Sequence, residues 1–464
     1  MKIKFRFILF LILTGFVFQN CEDNDDIPLP QSLQVNDFIW KGLNVYYLWQ
    51  ADVPDLADDR FANQAQYASF LSNYTPENLF DALRIDKKID RFSWIVSDYT
   101  VLEQTLQGTT KNNGIEFGLS LKSIGSTEVV GYVRYIIPDS DAAAKDKDVK
   151  RGDIFYAVDG VPLSITNYTS LLYSTSESYK LSFADYNGTD FVPNGKVIDF
   201  TKTILNENPI LINKIIEQGN HKIGYLMYNG FYSNYDTQLN DAFSDLKGVT
   251  DFVLDLRYNG GGSVLTATRL ASMITGQFTN QIFTKLTYNC KKSGNNVDYL
   301  FPDKIGSATI NSLNISKIYI LTTKSTASAS ELIINGLAPY INVVQIGDVT
   351  YGKNVASVTL YDSANFRSNN RNPNHKYAMQ PIVAKSVNKN GFGEYETGLV
   401  PSYNLKESFL RFGVLGEASE PLLSIAIEKI TGANKMVKLN LSNQAVELIN
   451  DSKTLNGRNE MHIE

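Results

Sequence analysis

The pattern of apolar and polar positions divides the chain into stretches of different period. Phe7 to Phe18 is an apolar run behind Lys2, Lys4 and Arg6, followed by the acidic Glu22-Asp23-Asn24-Asp25-Asp26 and an extended Ile27-Pro28-Leu29-Pro30. From Val35 to Trp49 aromatic and aliphatic residues recur at helical spacing, and a second helix is predicted over Asn63 to Ser72. A third begins at Thr75-Pro76, with threonine as cap and proline at the first helical position. From residue 108 the period falls towards two. A glycine-bracketed turn leads into a strand over Gly114–Leu121, a second strand covers Val129–Ile137, and Asp141–Ala144 opens a short helix. Ile154 to Val161 is a strand with a tight Asp159-Gly160 turn. From about 205 the pattern is α/β. Strands are predicted at Lys222–Tyr228, Phe252–Arg257, Ile318–Thr323 and Val343–Gly347, and helices at Val264–Ile274 and Leu332–Leu337. Residues 436–464 are polar and predicted to be peripheral.

These shifts give a targeting segment at 1–20, a tether at 21–34, a helical module at 35–105, a β-domain at 106–203, an α/β domain at 204–435 and the peripheral segment at 436–464. The length of 464 residues is consistent with this multidomain α/β organisation, since one core does not grow that large. The aromatic residues of the helical module are expected to pack against the neighbouring domain. A net charge of −6 offers no broad basic surface, so nucleic acid is not expected as a partner. Cys21 and Cys290 are the two cysteines, too few for a disulfide framework or a thiolate metal cluster, and no metal or cofactor is implied. The Phe7–Phe18 run is too short to span a bilayer comfortably, and with its basic flank it reads as a signal peptide. Followed at once by Cys21, it resembles a bacterial lipoprotein signal. That resemblance implies lipidation of Cys21, a membrane anchor and residence in the cell envelope, as an outer-membrane lipoprotein that is surface-exposed or faces the periplasm. A plain secretory signal is the alternative.

Candidate chemistry sits on two strand-to-helix turns and on a tight turn that follows a strand. Lys324-Ser325-Thr326-Ala327-Ser328-Ala329-Ser330-Glu331 lies between a buried strand and a helix, where a serine hydroxyl can be held rigid beside backbone N–H groups. Ser328-Ala-Ser-Glu331 also fits the capping box, in which serine and glutamate satisfy the free N–H groups of a helix start. Lys353 follows Ser328 by twenty-five residues, the length of a β-α-β excursion that returns the backbone beside its start. An exposed lysine is neutral in only about one molecule in a few thousand at pH 7, so a lysine base has to be buried. Asn259-Gly260-Gly261-Gly262 supplies a turn that permits close backbone approach, as an oxyanion hole requires. His221, His375 and His462 lie in no motif and read as surface histidines, which favours lysine over histidine as base.

The run Lys150-Arg151-Gly152-Asp153-Ile154 to Asp159-Gly160 resembles the signature of PDZ domains in bacterial proteases. Such domains bind the C-termini of polypeptides by adding a strand to a sheet edge, and the resemblance makes Gly114, Ile115, Phe117 and Gly118 the carboxylate loop. The order Asp255-Leu-Arg-Tyr-Asn-Gly-Gly-Gly262, Thr326-Ala-Ser328-Ala-Ser-Glu331, Gly352-Lys353 resembles the C-terminal processing, or tail-specific, peptidases over about residues 35–435. That resemblance implies a crotonase/ClpP-like α/β catalytic core with an inserted PDZ-like β-domain and an N-terminal helical module. It further implies Ser328 as nucleophile, Lys353 as general base, and Ala329 with Gly260 or Gly261 as backbone oxyanion donors to a protein or peptide substrate. Ser357 stands where many members carry a lysine-orienting glutamine, and Pro401-Ser402 where members often have Pro-Asp. A peptide-binding scaffold with a silenced core is therefore kept as the alternative. A crotonase-type acyl-CoA enzyme is disfavoured, because no basic cluster stands out for the CoA phosphates.

Overall fold

The computed structural model describes residues 29–433, 448–455 and 461–464. The signal segment and Cys21 lie outside the described residues. Helices Gln34–Tyr46, Gln64–Ser72 and Pro76–Ala82 form the N-terminal module. Asn63 and Thr75 cap the second and third by accepting the N–H groups of Gln66 and Asn78. Their apolar faces have no core of their own. Phe38, Ile39, Leu43, Leu79 and Phe80 share one buried cluster with Leu286, Val358, Leu360 and Met379, and Trp40 and Trp49 pack against it. The strand Trp94–Val96 pairs with Ala378–Gln380, tying the module to the larger unit.

Strands Thr109–Asn112 and Thr203–Asn206 pair antiparallel and form a two-stranded neck for the segment between them. Beyond the neck lies an antiparallel sheet in the order Ile115–Leu121, Val129–Ile136, Ile154–Val158, Ser178–Tyr186, Phe191–Thr201. Ile115, Phe117, Leu119, Val133, Phe155, Leu181, Phe183 and Phe200 fill its core. Asp159 and Gly160 both take positive φ (49° and 78°), as a primed hairpin turn requires.

The larger unit carries parallel strands His221–Tyr228, Asp251–Asp255, Lys317–Thr322 and Asn342–Gly347 side by side. Alternate residues of each strand serve opposite faces. Leu226, Leu254, Ile318 and Ile320 pack under the helices Val264–Thr275 and Ala329–Leu337, while Tyr225, Val253, Tyr319 and Leu321 pack under Pro421–Thr431. Burial on both sides explains why these strands read as continuous apolar runs. A second sheet has the order Gly262–Ser263, Met461–Ile463, Val355–Val358, Ile382–Asn388, Ile282–Tyr288, Val297–Leu300.

The expectation of a peripheral C-terminal segment does not hold for its described residues. Leu448–Asp451 adds antiparallel to Ile115–Leu121, and Met461–Ile463 lies parallel between Gly262–Ser263 and Val355–Val358. Asp451, Ser452, Lys453 and Met461 are buried. A polar composition marks a surface segment only when its polar groups lack partners in the fold, and these have them. Among the described residues no helix is long and apolar enough to cross a membrane.

Candidate active site

The parallel strands deliver three turns to their carboxyl ends, where ligands of open α/β sheets bind. The first follows Asp255. Asn259 is fully buried and organises it: its side-chain amide donates to Tyr228 O (2.8 Å) and its Oδ1 accepts the Gly261 N–H (2.9 Å). Gly262 sits at φ 137°, and a Cβ there would lie 2.3 Å from Phe231 O, so only glycine fits.

The second turn leaves Lys317–Thr322. Thr326 Oγ1 accepts the Thr323 N–H (2.9 Å) and donates to Leu256 O (2.9 Å), which closes the turn against the neighbouring strand. The Asn259 carbonyl accepts the Ala327 N–H (3.1 Å) and the Ser330 hydroxyl (3.0 Å), joining the first two turns. Ser328 is then held at φ 65°, ψ −116°, outside the regions open to ordinary L-residues, at a cost of about 1–3 kcal/mol. It is completely buried, and its hydroxyl has no hydrogen-bond partner among the described residues. The Ser-x-x-Glu arrangement of a capping box is in place at this helix start. Glu331 accepts the Ser328 N–H at 2.8 Å, while the serine oxygen is left for other work.

The third turn carries Lys353, which is completely buried with Nζ 4.9 Å from the Phe92 ring centroid. Gly352 has φ 90° with Glu396 O where a Cβ would project (2.2 Å). Arg91, from the end of the helical module, donates to the carbonyls of Gly352 and Glu396. Tyr351 N–H donates to Thr326 O (2.9 Å).

Glu331 joins the second and third turns. Its Oε2 accepts the N–H of Ser328 and that of Lys353, both at 2.8 Å, so the two backbone nitrogens lie within twice that distance of each other. Its Oε1 accepts Gly352 N–H (2.7 Å) and the Thr350 hydroxyl (2.5 Å). Burial raises the Glu331 pKa above the ordinary carboxylate value, against the pull of these four bonds. Sequence reasoning placed this glutamate in a helix cap; its second role depends on a loop twenty residues away. The signal available was its position, third in a helix that starts at the candidate nucleophile.

The structure disposes of the other expected residues as follows. Because Gly261 N–H is taken by Asn259, Gly260 and Ala329 remain as candidate oxyanion donors. Ser357 is buried in Val355–Val358 and its hydroxyl donates to Met461 O (3.2 Å). In the β-domain, Gly114 and Ile115 N–H donate to Asn112 Oδ1 (2.6 Å) and Asn113 Oδ1 (3.0 Å). Phe117 N–H donates to Ser452 Oγ (3.1 Å), and Gly118 is paired with Asp451. His221 and His375 are half-buried beside Asp251 (2.7 Å) and Asp362 (2.8 Å). His462 is not a surface histidine. Strands on both sides cover it, and burial, with Lys353 adding and Glu464 opposing, lowers its pKa to about 4. Among the described residues no cluster of His, Cys, Asp and Glu could hold a metal ion.

Around the site runs a buried charge network. Arg257 is fully buried between Asp255 (2.8 Å), Glu420 (2.6 Å) and Glu407 (2.9 Å). Arg151 of the β-domain reaches the same Glu407 at 2.9 Å. Burial works against the Glu407 carboxylate, but Arg151 and Arg257 overcome it and lower its pKa to about 2.

Residues 222–372 match the model of peptidase family S41, and residues 34–94 match that of the peptidase S41 N-terminal domain. The carboxyl-terminal-processing protease of Picosynechococcus sp. is 25% identical over 229 residues, 48% of this chain and 51% of that one. Carboxyl-terminal-processing peptidase 2, chloroplastic, of Arabidopsis thaliana is 29% identical over 168 residues, 35% of this chain and 30% of that one. The chain thus spans about half or less of the length of these curated relatives. Among solved structures, a protein of Bacteroides fragilis assigned as an S41 protease superposes with a TM-score of 0.66 at 28% identity, covering 85% of this chain and 97% of that one. Over residues 34–94 and 222–372 the chain thus matches peptidase family S41, serine peptidases that include the carboxyl-terminal-processing proteases.

Proposed function

We propose that the protein is a serine endopeptidase that uses Ser328 and Lys353 on protein or peptide substrates captured by their C-termini. The observation that carries this is a buried serine in strained backbone, its hydroxyl unbonded, tied through Glu331 to the turn of a buried lysine. In the first step Ser328 Oγ attacks the scissile carbonyl carbon as Lys353 Nζ takes the hydroxyl proton. The tetrahedral oxyanion faces the N–H groups of Gly260 and Ala329. Collapse breaks the C–N bond, the lysine returns the proton to the leaving amine, and water then releases the acyl group by the same route. Ser357 is assigned to orient Lys353 from the adjacent strand. The β-domain at 106–203 acts as a PDZ-like capture domain on a crotonase-like core, with Asn112 and Asn113 holding the Gly114 and Ile115 N–H groups until a carboxylate replaces them. A lipid at Cys21 would hold the enzyme in the cell envelope.

Ser328→Ala tests the assignment. It should lower peptide hydrolysis at least ~10⁴-fold while leaving the thermal midpoint within a few degrees, since one oxygen is removed from a packed turn. A peptide chloromethyl ketone or phosphonate should label Ser328 in the native protein. Retained cleavage by the variant would sink the nucleophile assignment, and absence of both labelling and cleavage would leave the protein a silenced scaffold.

A further inference from the structure

The described part of the segment beyond residue 447 runs along the edge of the β-domain at the expected carboxylate loop and then beside two of the turns that build the candidate site. Leu448–Asp451 adds to the edge of Ile115–Leu121 antiparallel and heads towards the Gly114 loop, which is the way a peptide ligand adds to a sheet edge. At the loop, Ser452 Oγ accepts the Phe117 N–H (3.1 Å), contacts Glu116 (2.5 Å), and its carbonyl accepts the Tyr173 hydroxyl (3.2 Å). The segment does not stop there. It turns through Ser452–Leu455 and reappears as Met461–Ile463, in register with Gly262–Ser263 on one side and Ser357–Val358 on the other. These neighbours are the glycine turn and the strand that follows Lys353. Without Met461–Ile463 the two strands would face each other across an empty strand position.

Two side chains in this path meet sites of matched charge. Asp451 Oδ2 is 2.9 Å from Arg134 Nη1 and accepts the Ser325 hydroxyl at 2.6 Å, so it bridges the β-domain to the Ser328 turn. Arg134 also donates to Ser325 (2.9 Å). Lys453 donates to the Asn229 carbonyl, lies 3.4 Å from Glu207 Oε1, and stands over the Tyr135 ring at 5.7 Å. Arg134, Glu207, Asp451 and Lys453 are each at least 95% buried. Buried charges of this kind are costly unless paired, so Arg134 and Glu207 form a selective site for an acidic residue followed two positions later by a basic one.

We propose that residues 448–455 and 461–464 are a tethered occupant of the substrate path, an inhibitory strand that a substrate must displace, and that Arg134 and Glu207 select extended peptides carrying the same Asp-x-Lys pattern. The inference rests on the peptidase reading for its consequence, but its binding half stands apart from catalysis. A tethered strand acts at an effective concentration of order millimolar. The apparent affinity for substrate falls by the fraction of molecules in which the strand has left.

Two full-length variants test it. Ser120→Cys with Leu448→Cys places a disulfide across a register pair of the added strand. Oxidised, this variant should lose at least ~10-fold in cleavage of a synthetic Asp-x-Lys peptide, with recovery on reduction, because the strand can no longer leave. Equal turnover in the two states would overturn the proposal and leave the segment a fixed part of the fold. Asp451→Ala with Lys453→Ala weakens the tethered copy and should raise kcat/KM at least ~10-fold. Unchanged or lower activity in that variant also counts against it. In a Ser328→Ala background, a fluorescein-labelled peptide copying residues 448–464 should bind the weakened variant, and a peptide with Asp451 and Lys453 interchanged should bind at least ~10-fold less tightly. Equal binding of the two peptides overturns the selectivity. If the peptide binds but no variant cleaves anything, the peptidase reading fails and the occupied groove stands.

Discussion

Glu331 contributes one carboxylate to two backbone turns, and few single residues of the protein hold so much of the site. Its four acceptor bonds fix Ser328, Thr350, Gly352 and Lys353 relative to one another. Glu331→Gln keeps the volume but turns an NH₂ towards two of the donors. The variant should lose roughly 10²-fold in kcat with KM within about threefold, because the reacting groups are displaced while the substrate groove is untouched. Steady-state kinetics on one peptide checks this, and a change confined to KM would count against a positioning role. The same residue shows why Ser328 is not merely a cap. The glutamate holds the serine N–H, while the serine hydroxyl makes no hydrogen bond among the described residues.

At the scale of elements, the strand Met461–Ile463 is the least expected feature and the most sensitive to pH. His462 is buried, facing Lys353, Glu464 and the strand of Ser357, and its pKa is lowered to about 4 from 6.5. The neutral ring is the form that is buried, so the unfolded or released strand binds the extra proton. Seating is therefore fully present above pH 6.5 and is lost as pH falls towards 4, by up to roughly 3 kcal/mol. Amide exchange of Met461–Ile463, corrected for intrinsic rates, should show protection at pH 7.5 that drops at pH 5, and a His462→Gln variant should lose this dependence. Protection that is flat across this window would refute it. Ser263 Oγ donates to Glu464 Oε1 (2.7 Å), a further bond that holds the strand beside the glycine turn.

Across the whole molecule, a buried charge network joins the β-domain to the larger unit beside shared apolar clusters, in which Tyr135 and Ile137 pack with Tyr225 and Tyr258, and Tyr132 stacks on Phe409. Arg151 meets Glu407 and the Tyr258 hydroxyl (2.8 Å), and Arg257 carries the network on to Asp255 and Glu420. Glu407 is held down to about 2 from 4.5, so its contribution is present above pH 4.5 and disappears between there and pH 2. Thermal unfolding should show a loss of stability in that window that Arg151→Met makes shallower, at a cost at neutral pH of about 3–5 kcal/mol for leaving a buried carboxylate under-paired. A slope that is the same in both proteins would assign the acid sensitivity elsewhere.

The helices at 34–46, 64–72 and 76–82, the alternating strands of the β-domain and the apolar strands of the larger unit were legible in the sequence, because each follows from local period, caps and turn residues. So were the three turns, since glycine at φ 137° and φ 90° and a serine at the head of a helix mark themselves by residue type. Period and residue type are local properties, and the sequence determined them by itself. Tertiary structure alone decided that Glu331 serves two turns, that Arg91 and Phe92 from the helical module surround Lys353, and that Arg257 ties two units together. It also decided the fate of the polar segment after residue 447. Strand addition draws on backbone groups that every residue has, so no composition reveals which edge a segment will join. Asp451, Lys453 and His462 look like surface residues until Arg134, Glu207 and two flanking strands close over them.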